Sequence, residues 1–189
     1  MVHADNQGLV LPPRVAALQI VIVPCGITAS LKEEDRKNLI NRCKLLENDL
    51  KSAGLRVKLD DRDNYSPGWK FNHWELKGVP VRVELGPKDI EKGQLVAVRR
   101  DTGEKITVQS KTATTDLQNL LETIQGNLFK KATEDLKNHT IVAKDWNQFC
   151  TELDKKNILL SPFCGEIPCE DNIKKDSARY VHLLLKCQF

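Results

Sequence analysis

The sequence contains no apolar run near the roughly 20 residues needed to cross a bilayer. Its first residues, MVHADNQG, carry neither the basic nor the apolar segment of a secretory signal. A soluble, intracellular and cytoplasmic protein is therefore expected. Cysteine is sparse: six in 189 residues, too few for a disulfide scaffold, and in a reducing compartment they stay thiols or bind metal. There is no Ser-His-Asp order, phosphate-binding glycine loop, H-E-x-x-H or dinucleotide fingerprint. The four histidines, His3, His73, His139 and His182, are scattered. Internal repeats and low-complexity stretches are absent too.

What remains is a chain with 40% hydrophobic and 29% charged residues and a net charge of +3, which excludes general disorder and requires a packed core. So small an excess neither demands nor excludes a polyanionic partner, because binding to nucleic acid depends on where the charges cluster.

ALQIVIV at 17–23, between Pro12–Pro13 and Pro24, reads as a buried strand. Ser30 and Glu33 have capping-box spacing, and Leu39, Cys43, Leu46 and Leu50 then mark an amphipathic helix ending at Gly54. LRVKL (55–59) alternates as a strand, so strand, helix and strand follow in βαβ order. After the polar loop 60–68 come a short helix, 69–77, and a strand, 79–85, in which Arg82 and Glu84 share the polar face. Strands at 94–100 and 104–108 follow, joined by a turn at Asp101–Gly103. A second capping box at Thr115–Gln118 opens a long helical stripe from Leu117 to Leu136, with Gly126 its weak point. A smaller cycle ends the chain: a strand at 140–143, a helix carrying Trp146 and Phe149, a strand at 157–163 and a turn containing cysteines.

Between Asp60 and Lys105, charge and aromatic groups concentrate: Arg62, Trp69, Lys70, Phe71, Trp74, Glu75, Arg82, Lys88, Asp89, Arg99, Arg100 and Lys105. Such a mixture suits unpaired RNA, whose bases offer flat faces and hydrogen-bonding edges. A carboxylate such as Glu75 matches the paired N1–H and N2–H donors of guanine, Arg82 can donate to O6 and N7, and lysines can hold phosphates. The alternative is a solvated face in which Glu75, Arg82 and Glu84 form cross-strand ion pairs while Trp69, Phe71 and Trp74 are core. Cys164 and Cys169 have the C-x4-C spacing of one half of a zinc site, with only Cys187 or His182 downstream to extend it. From spacing, an empty site and an occupied one are equally open. Cys25, Cys43 and Cys150 sit in apolar patterns as small core residues.

Four strings, GLVLPPRVA (8–16), DDRDNYSPGWKFNHWELKGVPVRVELGPKD (60–89), RRDTGEK (99–105) and PFCGEIPCE (162–170), closely resemble the C-terminal part of prolyl-tRNA synthetase. The type they match is the archaeal/eukaryotic one, which includes the bifunctional glutamyl-prolyl form of animals. The resemblance runs over about residues 1–178. It implies an α/β fold: a class IIa synthetase anticodon-binding domain, a mixed sheet with flanking helices, followed by a small α+β zinc-domain-like lobe. The implied divisions are 1–16, the end of the catalytic domain; 17–115, the anticodon-binding domain; and 116–189, the C-terminal domain.

By the same resemblance, Arg14 occupies the arginine of class II motif 3 that contacts ATP phosphates, and Glu75, Arg82, Asp89 and Lys105 match the positions that read the two guanines of the proline anticodon. Cys164 and Cys169 match the first cysteine pair of the family's zinc site; the second pair is missing and the match dissolves near Ala178. ATP and zinc are the implied cofactors. The implied partner is the anticodon loop of proline tRNA, with no membrane, and a homodimer or multi-synthetase complex through parts of the family's chain not found here. Class II motifs 1 and 2 are not in the sequence, so this polypeptide alone is expected not to charge tRNA. Two functions follow as expectations: a piece of proline–tRNA ligase that keeps anticodon recognition, or a non-catalytic regulatory module that binds tRNA or protein.

Overall fold

The computed structural model describes residues 3–28 and 31–177. The chain forms two compact units that divide after Leu128.

The first unit is built on a five-stranded sheet. Its strands, after a small hairpin of β1 (Ala4–Asp5) and β2 (Gly8–Leu9), are β3 (Ile20–Pro24), β4 (Val57–Leu59), β5 (Val81–Leu85), β6 (Gln94–Arg99) and β7 (Lys105–Gln109), in the order β4-β3-β5-β6-β7. β3 pairs in parallel with β4 and β5, whereas β5, β6 and β7 are antiparallel. The apolar run expected at 17–23 becomes the central strand, and its near-continuous hydrophobicity has a plain cause: both faces are covered. Ile20 and Ile22 join the larger core, Val21 and Val23 the smaller one.

The larger core lies under α1 (Glu33–Ser52), through Leu39, Cys43 and Leu50, and under the first half of α4 (Ala113–His139), through Leu117, Leu121 and Ile124. Glu33, Glu34 and Asp35 place negative charge in α1's first turn, where the helix dipole favours it. The capping box expected from Ser30 lies outside the described residues; the N-cap is Lys32, without a side-chain cap bond. Burial pushes the Cys43 thiol up to about 12 and the Cys25 thiol to about 11, as expected of small core residues.

α2 (Pro67–Leu76) covers the opposite face with Trp74 and Phe71. Ser66 accepts from the Trp69 amide, and Pro67 follows in the first turn. Asp60 ties this helix to the end of β4. It accepts from Trp74 Nε1 at 2.8 Å and from Arg62 at 2.7 and 2.6 Å, and its carbonyl receives Lys70 Nζ at 3.0 Å. A single turn, α3 (Pro87–Glu91), follows β5.

α4 begins at Ala113, so the capping box expected at Thr115–Gln118 is already inside the helix; Thr112 instead donates to Asp116 at 2.6 Å. Gly126 does not interrupt it, since one glycine costs only about 1 kcal/mol and the buried stripe outweighs that. The compact units divide within this helix, beyond the expected boundary at 115/116, because its leucines at 117 and 121 belong to the first core.

In the second unit, β8 (Thr140–Val142) and β9 (Ile158–Leu160) pair in parallel around α5 (Trp146–Asp154), which Asp145 caps through the Gln148 amide at 2.9 Å. Phe149 is buried and stacked on Trp146. α6 (Ile167–Ser177) starts in the segment expected as a turn. Among the described residues no helix is long and apolar enough to cross a membrane.

Candidate nucleic-acid interface

Alternation in β5 puts Arg82 and Glu84 on the face that α2 covers. Across the sheet, Val21, Arg82, Val98 and Lys105 are successive register partners, so their side chains share that face. α2 is only ten residues long and ends above this row. Its last turn brings Glu75 over Arg82. Beyond it a cleft of about 520 Å³ opens, lined by Glu75, Arg82 and Lys105 together with Arg99, Arg100 and the Asp5–Gln7 turn.

Arg82 is the centre of this arrangement. Its side chain is 10% exposed. It donates to Glu75 Oε1 through Nη1 and to Glu84 Oε1 through Nε at 3.0 Å, with Nη2 in ion-pair contact 2.9 Å from the same oxygen, and the Phe71 ring centre lies 4.0 Å from its guanidinium carbon. Such a desolvated, two-sided ion pair holds geometry firmly. Glu75 remains 38% exposed at the rim. Arg82 fills one position on Oε1, and a carboxylate has about four acceptor sites, so the group can still receive two donors from a ligand edge.

The other arginines are also engaged. Arg99 grips Asp101 at 3.0 and 2.7 Å, and Arg100 grips Asp5 at 2.8 and 2.7 Å. The hydrogen bond from Arg100 holds the Asp5 carboxyl down at about 2, and the bonds that Arg99 donates to Asp101 and Arg100 to Asp5 raise the two guanidinium groups above their ordinary value. Among the described residues, Lys105 is the one cation of the cleft with no carboxylate partner, and it is exposed. The cleft thus combines an ion-paired floor, an acceptor at its rim and one exposed positive charge.

Of the residues singled out from sequence, Glu75, Arg82 and Lys105 come together here. Asp89 does not line the cleft; its carboxylate accepts the Gly86 amide at 3.0 Å and fixes the start of α3. Trp74 and Lys70 are buried, and Phe71 is half-buried. Trp69 is exposed and stacked between Tyr65 and His73, with Arg62 over it at 5.2 Å. The solvated-face alternative is therefore right that Arg82 pairs with Glu75 and Glu84 and that Trp74 is buried, but the pairs run from helix to strand and along one strand, not across strands, and Arg82 itself is not solvated. The hairpin residues Asp5, Asn6 and Gln7 were missed. Asp5 and Arg100 are 95 positions apart, and no local pattern signals so distant a pair.

Arg14 lies elsewhere, exposed and paired with Glu122 at 3.1 Å. Its segment is fastened by Arg56, which donates to the carbonyls of Pro13 at 2.8 Å and Ala16 at 3.0 Å. One paired guanidinium does not fit a triphosphate, and no step is assigned through ATP. Cys164 and Cys169 are hydrogen-bonded neighbours, which raises the Cys169 thiol. Among the described residues no group of three His, Cys, Asp or Glu side chains could hold a metal, and a closed zinc site needs four ligands. The pair by itself does not fit zinc, and Cys187 and His182 lie outside the described residues.

A mixed sheet flanked by helices, with a polar cleft where the covering helix stops, defines a domain of the anticodon-reading class: residues 19–125 match the family described as Anticodon binding domain, and the chain belongs to that family. More particularly, it is similar to proline–tRNA ligases. It is 59% identical to the bifunctional glutamate/proline–tRNA ligase of Drosophila melanogaster and 58% to that of Mus musculus, in each case over 95% of this chain and 10% and 12% of the relative. The putative proline–tRNA ligase of Saccharomyces cerevisiae is 47% identical over 95% of this chain and 26% of its own length. The chain thus spans about a tenth of the animal relatives and a quarter of the yeast one.

Proposed function

We infer that this chain is the anticodon-reading portion of a proline–tRNA ligase and that it binds the unpaired anticodon loop of proline tRNA in the cleft beside Glu75. The observation that carries the reading is the Glu75 carboxylate, held by Arg82 and still open at the rim of the cleft. A fixed two-oxygen acceptor selects guanine, whose N1–H and N2–H point the same way, over adenine, which offers an acceptor at N1. Arg82 acts by positioning Glu75, Lys105 supplies a phosphate contact, and Asp89 sets α3. ATP-dependent prolyl transfer and assembly with further chains belong to this reading as properties of a longer cytoplasmic ligase. A relative from Arabidopsis thaliana, 38% identical over 92% of this chain and 32% of its own length, carries the name proline–tRNA ligase, cytoplasmic.

The test is binding of the purified chain to an anticodon stem-loop of proline tRNA and to versions with either anticodon guanine replaced by adenine, measured by fluorescence anisotropy. Wild type is expected to prefer the guanine loop. Glu75→Gln presents an amide donor where an acceptor is needed, and should reduce that preference by about 5- to 100-fold, equivalent to roughly 1–3 kcal/mol. Equal affinity of wild type for all loops would refute the reading.

A further inference from the structure

The cleft has a wall that the family match does not include. Residues 4–9 precede the matched segment 19–125, yet Asp5, Asn6 and Gln7 line the same cleft as Glu75 and Lys105. This hairpin is locked in place. Arg100, with its side chain 5% exposed, makes the two-toothed bond to Asp5 and also donates from Nε to the Glu75 carbonyl at 3.1 Å. One guanidinium therefore fixes both the turn of the hairpin and the backbone that carries the acceptor. The fit beneath is close: a Cβ added to Gly8 would meet the Leu76 backbone at 2.7 Å, and one added to Gly78 would meet Leu9 at 2.6 Å. The hairpin thus lies flush on the last turn of α2.

At its tip, Asn6 and Gln7 are exposed, and among the described residues neither side-chain amide has a hydrogen-bond partner. Each amide offers a donor pair and an acceptor, the complement of a nucleobase edge or a ribose hydroxyl.

We propose that the β1–β2 hairpin is a second recognition element of this cleft: Asn6 and Gln7 hydrogen-bond the nucleotide next to the one held by Glu75, and Arg100 is the positioning residue that fixes both contacts. This rests on the reading above that the cleft takes an unpaired RNA loop, and the ligand class is the same, a single-stranded ribonucleotide segment. Because the amides are neutral, their contribution is short-range and insensitive to salt, unlike that of Lys105.

The experiment uses the whole chain and the proline anticodon stem-loop. Asn6→Ala/Gln7→Ala removes both amides from an exposed turn without touching the core, and is expected to weaken binding by about 5- to 20-fold while the guanine-over-adenine preference at Glu75 stays as in wild type. In 15N-labelled wild type, the side-chain NH2 resonances of Asn6 and Gln7 should shift on adding the stem-loop and not on adding an equal charge of inorganic phosphate. Unchanged affinity of the double variant, or unmoved amide resonances, in a wild type that still prefers guanine would overturn the hairpin's role and leave the anticodon reading intact. Wild type that binds no stem-loop would overturn both.

Discussion

Asp60 shows how one side chain can hold an element in place. Burial opposes its ionisation, but the hydrogen bonds from Arg62 and Trp74 outweigh that and bring it to about 2, against 3.8 for a free aspartate. A carboxyl lowered on folding stabilises the native state above its unfolded value, and that stability is lost as pH falls through the folded value. Asp60 is 2% exposed, so the gap corresponds to about 2 kcal/mol, lost between about pH 4 and pH 2. Asp60→Asn should lower stability at neutral pH by a similar amount and remove that part of the acid-side slope; urea denaturation at a series of pH values from 2 to 6 measures both. Arg82, Glu75 and Glu84 are likewise held by their mutual ion pairs. The alternation in VPVRVEL shows that Arg82 and Glu84 share a face, but not that a tryptophan-bearing helix would dry it. Desolvation by Phe71 and the end of α2 turns a surface pair into a rigid one.

Among the elements, the ones read well from sequence are those whose pattern is local. The apolar run before Pro24, the period of α1 and the Gly78 stop after α2 each reflect forces acting within a few residues. The β1–β2 hairpin and α3 escaped, because two-residue strands and a single turn are too short for any periodicity, and α6 escaped because none of its described side chains is buried, so it carries no core stripe. Gly78 separates local from tertiary causes. Its φ of +70° is a left-handed conformation, as is that of Gly54 at +82°, but a Cβ at Gly54 meets nothing within 4 Å whereas one at Gly78 meets the Leu9 backbone at 2.8 Å. Gly54→Ala should therefore cost about 1 kcal/mol from backbone strain alone. Gly78→Ala should cost at least about 2–3 kcal/mol, since β2 must move as well. Chemical denaturation of the two variants side by side gives the comparison, and equal costs would show that the hairpin does not rest on α2.

For the whole molecule, the net charge of +3 says little about RNA binding, and the structure explains why. Arg82, Arg99 and Arg100 enter the cleft already neutralised by carboxylates, so the proposed binding of a strand would release few counterions. Lys105 is the exception. Lys105→Met is expected to weaken binding to guanine and adenine loops alike and to reduce the slope of log K against log salt by about 0.7, the value for one phosphate contact on a single strand. Binding titrations at several salt concentrations supply the slope. A change in guanine preference instead would make Lys105 a base-reading group.

The sequence by itself determined the α/β class, the βαβ start, the central strand and the RNA-suited segment from Asp60 to Lys105, because hydrophobic period, turn residues and local composition record short-range physics. It also brought Glu75 and Arg82 forward as candidates, with a solvated ion-paired face left open beside them. Only the tertiary structure decided that Arg82 is withdrawn into an ion pair, that Asp89 serves α3, and that residues 4–9 close the cleft through Arg100. Those outcomes depend on which distant groups desolvate and neutralise one another, and pairing of this kind leaves no trace in the spacing of residues along the chain.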